Sequence, residues 1–375
     1  MTPVPIAFYA PLKPPDHPHP SGDRTMARLL LAALKEAGFA PEVASRLRTF
    51  EAAGNRERQI AIAAESAAEA DVLAAEYGGH PAEARPRLWF TYHCYYKAPD
   101  HLGPEMARRL GIPLVIVEPS RAPKRASGPW AFAHRAAEAA IAAADALLVL
   151  TGRDRECLER ALRPGQRLVE LPPFVDVRPA TRHSPGRKAD APTRLLTVAM
   201  MRPGDKLASY RILGAALSRI ADLPWTLDVV GDGAARPEVE GCLAPLGMRV
   251  TFRGELDGEA LSLAYAAADL LVWPAVNEAY GMVLLEAQAQ GCPVLAGRYG
   301  GVADAMLAGV TGELVPPGDV AAFADAAARL IKEPARRAGM GEAGSRFVAE
   351  ERSLSRAAAS LREALAPLLA LPSPA

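Results

Sequence analysis

The sequence predicts an α/β protein made of two doubly wound, parallel-sheet domains. Three observations carry that expectation. The length, 375 residues, exceeds one ordinary hydrophobic core. Short apolar runs alternate with helical patterns along most of the chain, and a polar stretch near the middle interrupts the alternation before it restarts.

The first strand falls at 4–9, in Val4-Pro5-Ile6-Ala7-Phe8-Tyr9. A Pro-rich loop leads to a helix starting near Asp23. There Met26, Leu29, Leu30, Ala33, Leu34 and Ala37 recur at helical spacing, and Gly38 stands where a helix-ending glycine belongs. Residues 51–83 are rich in Ala and Glu and read as helical, although 72–75 also has the look of a strand. Clearer strands follow at 87–92, 114–118 and 146–150, with helices at 104–110 and 131–144 between them. The unpatterned stretch 178–193 carries Pro179, Pro185, Gly186 and Pro192 and reads as a linker between domains at 1–177 and 194–353. In the second domain, strands are expected at 194–200, 226–230, 249–252, 269–273, 293–296 and 313–315. Helices are expected at 207–220, 258–267, 281–290 and 320–332. A last helix at 354–366, stopped by Pro367, can pack back on the first domain.

Lys plus Arg and Asp plus Glu total 43 each, so the formal net charge is zero and the basic excess of a nucleic-acid binder is missing. Cys94, Cys157, Cys242 and Cys292 lie far apart without Cys-x-x-Cys spacing, which points to reduced thiols rather than zinc or redox chemistry. Nothing after Met1 reads as a signal peptide, and no run of about 20 apolar residues marks a membrane span. A cytoplasmic location is the expectation. Loop 121–130, with Arg121, Lys124, Arg125 and Trp130, offers weak peripheral contact with a membrane as the alternative to a plain solvated loop.

Four constellations are candidates for chemistry. In Trp273-Pro274-Ala275-Val276-Asn277-Glu278-Ala279-Tyr280-Gly281-Met282, a strand ends, a short loop carries Glu278, and a helix begins near Gly281. Helix starts offer unpaired N–H groups to an anion, so a carboxylate there needs hydroxyl or cationic partners. Glu286, two helical turns on, is placed to share the same crevice. Second, Arg202 and Lys206 share one strand-to-helix loop, and two fixed cations neutralise a departing diphosphate. Third, Gly231-Asp232-Gly233 and Gly300-Gly301 are strand-end turns that admit close approach of backbone to phosphate. Fourth, His93 directly follows the strand at 87–92. His17 and His19 lack a third metal ligand nearby, and the chain has no Asp-x-Asp, so cationic side chains rather than a metal are expected to balance a diphosphate.

Taken together, Arg253-Gly254, Glu278 through Glu286, Gly300-Gly301 and Gly312-Glu313-Leu314-Val315-Pro316-Pro317-Gly318-Asp319 resemble the family-4 glycosyltransferases of the GT-B fold. The likeness covers most of the second domain and, more loosely, His93 and Ser21-Gly22 in the first. It implies two Rossmann-like domains facing across a cleft, retention of anomeric configuration, no metal or other cofactor, and a nucleotide-diphosphate sugar as donor. By the same resemblance, Glu278 binds hydroxyls of the transferred sugar, and the backbone of Ala279, Tyr280, Gly281 and Met282 holds sugar and diphosphate. Glu286 binds the ribose, Arg202 and Lys206 the diphosphate, and Arg253 and Gly254 border the base. Gly231 supplies a phosphate turn, Gly22 lets the first-domain loop approach the donor, and His93 contacts the sugar near the reacting carbon.

The mechanism this implies is a front-face displacement. The acceptor hydroxyl attacks from the side the diphosphate leaves and passes its proton to a donor phosphate oxygen, with no protein nucleophile and with His93 orienting the sugar. The acceptor is a hydroxyl compound of unassigned kind: glycan, glycolipid or small molecule. Two other readings stay open on the sequence. One is a non-hydrolysing sugar-nucleotide epimerase, and the other is a nucleotide-sugar-binding protein without catalysis.

Overall fold

The computed structural model describes residues 3–19, 21–176 and 191–370. These form two compact units. The first comprises the chain up to Pro172 together with the segment from Leu354 onward, and the second is Pro173–Ser353. Most of the linker stretch read from the sequence lies outside the described residues, and the strand after it begins at Thr193.

In the first unit the order is β1 (Val4–Tyr9), α1 (Gly22–Glu36), β2 (Phe39–Ser45), α2 (Arg56–Gly79), β3 (Trp89–Cys94), α3 (Gly103–Leu110), β4 (Leu114–Pro119), α4 (Ala131–Ala143), β5 (Ala146–Val149), α5 (Gly152–Glu159) and β6 (Arg167–Glu170). The second unit runs β7 (Thr193–Val198), α6 (Asp205–Ser218), β8 (Trp225–Val230), α7 (Arg236–Leu243), β9 (Val250–Gly254), α8 (Gly258–Ala267) and β10 (Leu270–Trp273). It continues with α9 (Met282–Ala289), β11 (Val294–Gly297), β12 (Gly312–Val315), α10 (Val320–Lys332) and α11 (Pro334–Glu351). Helix α12 (Leu354–Leu365) returns to the first unit and packs on α1, where Arg362 donates to the Ala37 carbonyl at 3.1 Å.

Each sheet has six parallel strands, ordered β2-β1-β3-β4-β5-β6 and β12-β11-β10-β7-β8-β9. Central strands are buried throughout, as Leu114–Pro119 and Leu270–Trp273 show, which is why they read as unbroken apolar runs. Helices supply the covering layers. Met26, Leu30 and Leu34 of α1 and Tyr210, Leu213 and Leu217 of α6 are fully buried.

Strand order fixes where a ligand can bind. In open parallel sheets the crevice lies outside the carboxyl ends of the strands, where the winding reverses. The first sheet reverses between β1 and β3, and the second between β7 and β10.

Several expectations are corrected. Residues 72–75 lie inside α2, because Val72 is the exposed residue of a helical turn whose neighbour Leu73 is buried. Strand β3 starts and ends two residues later than expected, so His93 lies within it. Helix α6 starts at Asp205, so Lys206 stands in its first turn and only Arg202 remains on the loop. Strands β2 and β6 had no apolar signature, because both are edge strands. Edge position also tolerates Pro41 in β2.

Candidate active site

The switch point of the second sheet is built from the loop after β10 and the start of α6. Asn277 Nδ2 donates to Asp205 Oδ1 at 2.9 Å, and the Val276 amide donates to Ser209 Oγ at 3.0 Å, so the two elements are tied together. Ala275 and Asn277 hold left-handed backbone, φ +59° and +49°, which L-residues adopt at a cost of about 1–3 kcal/mol where surrounding contacts enforce it. That turn carries Glu278 back toward α6. Lys206 Nζ donates to Glu278 Oε2 at 2.5 Å, the Trp273 indole N–H reaches the same oxygen at 3.3 Å, and the ammonium lies 5.4 Å from the Trp273 ring centre. Behind them Tyr210 packs edge-on to Trp273 and donates to the Ala199 carbonyl at 2.9 Å. A cation, a carboxylate and an aromatic floor therefore meet at the carboxyl edge of β7 and β10.

The start of α9 closes this corner. Gly281 is its N-cap at φ +72°, and no side chain caps the helix; the Leu284 amide donates to the Gly281 carbonyl at 2.9 Å, which leaves the Met282 and Val283 N–H groups to meet an anion. Met282 and Tyr280 are buried, and the Ala279 carbonyl accepts from the Gly301 amide at 2.7 Å. Gly300 is held at φ +48°, with its missing Cβ position only 2.3 Å from the Glu278 carbonyl oxygen. Gly300→Ala is therefore expected to destabilise the second unit by about 1–3 kcal/mol and to displace the Glu278 loop. Thermal unfolding with and without donor reads both effects, and an unchanged Tm contradicts the packing argument.

The remaining residues are distributed as follows. Arg202 is exposed on the loop after β7, and no bond joins it to the Lys206–Glu278 pair. Glu286 on α9 accepts from Tyr265 Oη at 2.8 Å, and burial raises its pKa despite that bond. Arg253 grips Asp228 with two bonds, 3.0 and 3.2 Å, so its guanidinium is already engaged, while Gly254 is open, with nothing near its missing Cβ. Gly231 serves the protein's own packing. A Cβ there would lie 2.0 Å from the Ala199 carbonyl oxygen, so the glycine lets the ends of β7 and β8 approach.

In the first unit, the switch point gathers charged groups. Gly22 opens α1 with free space where a Cβ would be, and Ser21 Oγ caps that helix by accepting from the Arg24 amide at 3.2 Å. Asp23, in its first turn, lies 3.1 Å from His93 Nδ1. Burial alone would lower the imidazole pKa, but Glu118, the Asp23 bond and charge, and Asp154 outweigh it and raise it to about 9. The sequence reading missed Glu118. It is the penultimate residue of β4, at φ +54°, is 8% exposed, and its carboxylate is hydrogen-bonded by the Tyr92 side chain. Burial lifts its pKa to about 7 against the pull of His93. The available signal was a lone Glu closing the apolar run Leu114-Val115-Ile116-Val117.

Loop 121–130 is committed to the first unit. Arg121 pairs with Glu138 at 2.5 Å, Trp130 is buried, Lys97 lies over the rings of Tyr96 and Trp130, and Arg125 lies over Tyr96. No described helix is long and apolar enough to cross a membrane. The four cysteines are free thiols. Among the described residues, no group of three His, Cys, Asp or Glu side chains is placed to hold a metal ion.

Comparison with known proteins identifies the family and the fold. The family model for glycosyl transferases group 1 matches residues 192–333, which contain the whole second-unit switch point. The chain is 33% identical over 298 residues to a D-inositol 3-phosphate glycosyltransferase of Streptomyces avermitilis, a match covering 72% of this chain and 63% of that one. It is 30% identical over 275 residues to an alpha-D-kanosaminyltransferase of Streptomyces kanamyceticus, covering 67% of this chain and 70% of the relative. Among solved structures, sucrose-phosphate synthase from Thermosynechococcus elongatus superposes with a TM-score of 0.74 at 22% identity, over 98% of this chain and 99% of the other. Anabaena HepE in complex with UDP gives 0.72 at 16% identity, over 97% and 100%. At those identities the structures establish the GT-B fold.

Proposed function

The chain belongs to the group 1 glycosyl transferases, and from that premise we propose that it is a retaining, metal-independent enzyme that moves a sugar from a nucleotide-diphosphate sugar to a hydroxyl acceptor. One observation carries this reading: the Lys206–Glu278 pair at the reversal of the second sheet, beside the uncapped start of α9. A diphosphate needs cations and N–H donors, and a hexose needs a hydroxyl-binding carboxylate. The corner offers both within one hydrogen-bond length. On donor binding, Lys206 turns to the phosphate oxygens and releases Glu278 to the sugar hydroxyls. Arg202, exposed on the adjoining loop, adds a second cation to the leaving group, and Glu286 takes the ribose with the carboxylate oxygen that Tyr265 leaves unused. HepE, a protein of the same fold, has been solved with UDP-glucose, which supports a nucleotide sugar as the ligand class.

Same-face attack is taken from the family likeness: in this reading the acceptor hydroxyl is the nucleophile and Glu278 holds hydroxyls of the transferred sugar. Charge that builds on the diphosphate is met by fixed side chains. Transfer is expected to continue within about twofold in excess EDTA, and the product is expected to keep the donor's anomeric configuration by proton NMR. Inversion, or loss of turnover restored by a divalent ion, overturns the proposal. The direct screen is calorimetry and nucleotide release with UDP-, GDP- and ADP-sugars. Failure to bind or consume any of them removes the donor assignment.

A further inference from the structure

Strand register places His93 and Glu118 side by side. Strands β3 and β4 pair in parallel, Tyr92 with Val117 and Cys94 with Pro119, so positions 93 and 118 lie at one level on neighbouring strands, about 4.8 Å apart. At that level both backbones leave the pleat together, with φ +64° at His93 and +54° at Glu118. Two non-glycine residues in left-handed backbone on adjacent strands re-aim both side chains at a sheet's carboxyl edge, next to its switch point. His93 keeps 18% of its side chain exposed, with Nδ1 on Asp23, whereas the Glu118 carboxylate is buried and is hydrogen-bonded by the Tyr92 side chain of β3.

We propose that Glu118 is a positioning residue that acts through His93: its buried charge holds the imidazole doubly protonated, so that His93 presents Nε2–H to a substrate oxygen as a fixed cationic donor rather than as a base. The role deepens the transferase reading, because a permanent cation suits an oxygen that gains negative charge during transfer. Other groups act on His93 from the elements around it. Asp23 on α1 and Asp154 on α5 also favour the charged ring, and the Tyr95 ring lies tilted against it with centroids 4.8 Å apart. Thr151, the N-cap of α5, donates to Asp154 Oδ2 at 2.7 Å and fixes that carboxylate. Asp23 alone would orient the ring. A second, buried carboxylate at the same sheet level adds little to orientation, and its effect falls on charge.

The test is the imidazole NMR titration of the full chain, with the His93 signal assigned by its loss in His93→Gln. Glu118→Gln is expected to lower the His93 midpoint by about 1–2 pH units, while Glu118→Asp, which keeps the charge, retains it within about half a unit. The alkaline limb of nucleotide release from the consumed donor (UDP-glucose, GDP-mannose or ADP-glucose) is expected to move down in parallel in Glu118→Gln and to be restored in Glu118→Asp. An unmoved midpoint in a folded Glu118→Gln protein overturns the proposal, as does a moved midpoint with an unmoved limb. If the midpoint moves but the wild type consumes none of the three donors, the charge coupling stands, the substrate role falls, and the failure belongs to the transferase reading.

Discussion

Alanine at Lys206 is expected to cut sugar transfer by about 10²–10³-fold, the usual cost of removing one preorganised donor from a developing anion. Alanine at Glu278 is expected to have a similar effect on turnover, with the double variant far less impaired than the product of the two. The reason lies in the corner itself, where the two side chains neutralise one another and share Trp273 as a third partner. Without Lys206, the Glu278 carboxylate faces an arriving diphosphate with no cation between them, so donor binding weakens as well as chemistry. Without Glu278, that repulsion is absent and the loss is confined to the sugar's hydroxyl contacts. Partners of one ion pair should therefore couple by 0.5–3 kcal/mol, on the order expected for residues in contact. A cycle of kcat/KM and donor Kd over the four proteins measures it. Single variants within threefold of wild type, or losses that simply multiply, would dismiss the corner as the donor site.

How much of this was legible beforehand depends on which kind of signal each feature leaves. Central strands such as β4 and β10 are buried on both faces and announce themselves as apolar runs, and α10 matched its expected limits because its apolar positions recur cleanly at helical spacing. Helix α11 escaped because three glycines, Gly339, Gly341 and Gly344, interrupt its pattern. Only tertiary packing holds it, with Gly344 lying against Gln288. Strand order could not be read at all. It depends on which apolar faces meet, and it is strand order that brings the loop of Glu278 beside the helix of Lys206. Each of those residues was legible as a candidate, but their contact was not. Gly231 and Arg253 show the converse. Both have the residue types a donor site uses, and in the fold one spaces two strand ends while the other holds Asp228. Glu118 went unread because a single Glu after four apolar residues looks like a strand ending at the surface. The chain instead turns left-handed there and keeps the carboxylate inside.

Replacing His93 by Gln is expected to destabilise the first unit in a pH-dependent way, and the sign follows from the direction of its shift. The folded pKa, about 9, lies above the ordinary value of 6.5, so the charged ring is favoured by folding. Its contribution is complete below about pH 6.5 and disappears as pH rises through 9. A shift of that size corresponds to roughly 3–4 kcal/mol when fully expressed. Relative to wild type, the His93→Gln deficit should be large near pH 6 and clearly smaller by pH 9.5. Glu118 slows that decline above about pH 7. Its own pKa, lifted to about 7 from 4.5 by burial, means that its ionised form is costly to keep inside, and the imidazolium beside it is what makes ionisation tolerable near neutrality. Without the cation, Glu118 should stay protonated to higher pH, and the variant should take up a proton that the wild-type carboxylate releases. Calorimetric unfolding of both proteins between pH 6 and 9.5, following the first unit's transition, reads the difference directly. A deficit that is flat across that range would mean the ring serves by shape and not by charge. The substrate-facing cation assigned to His93 would then have no basis.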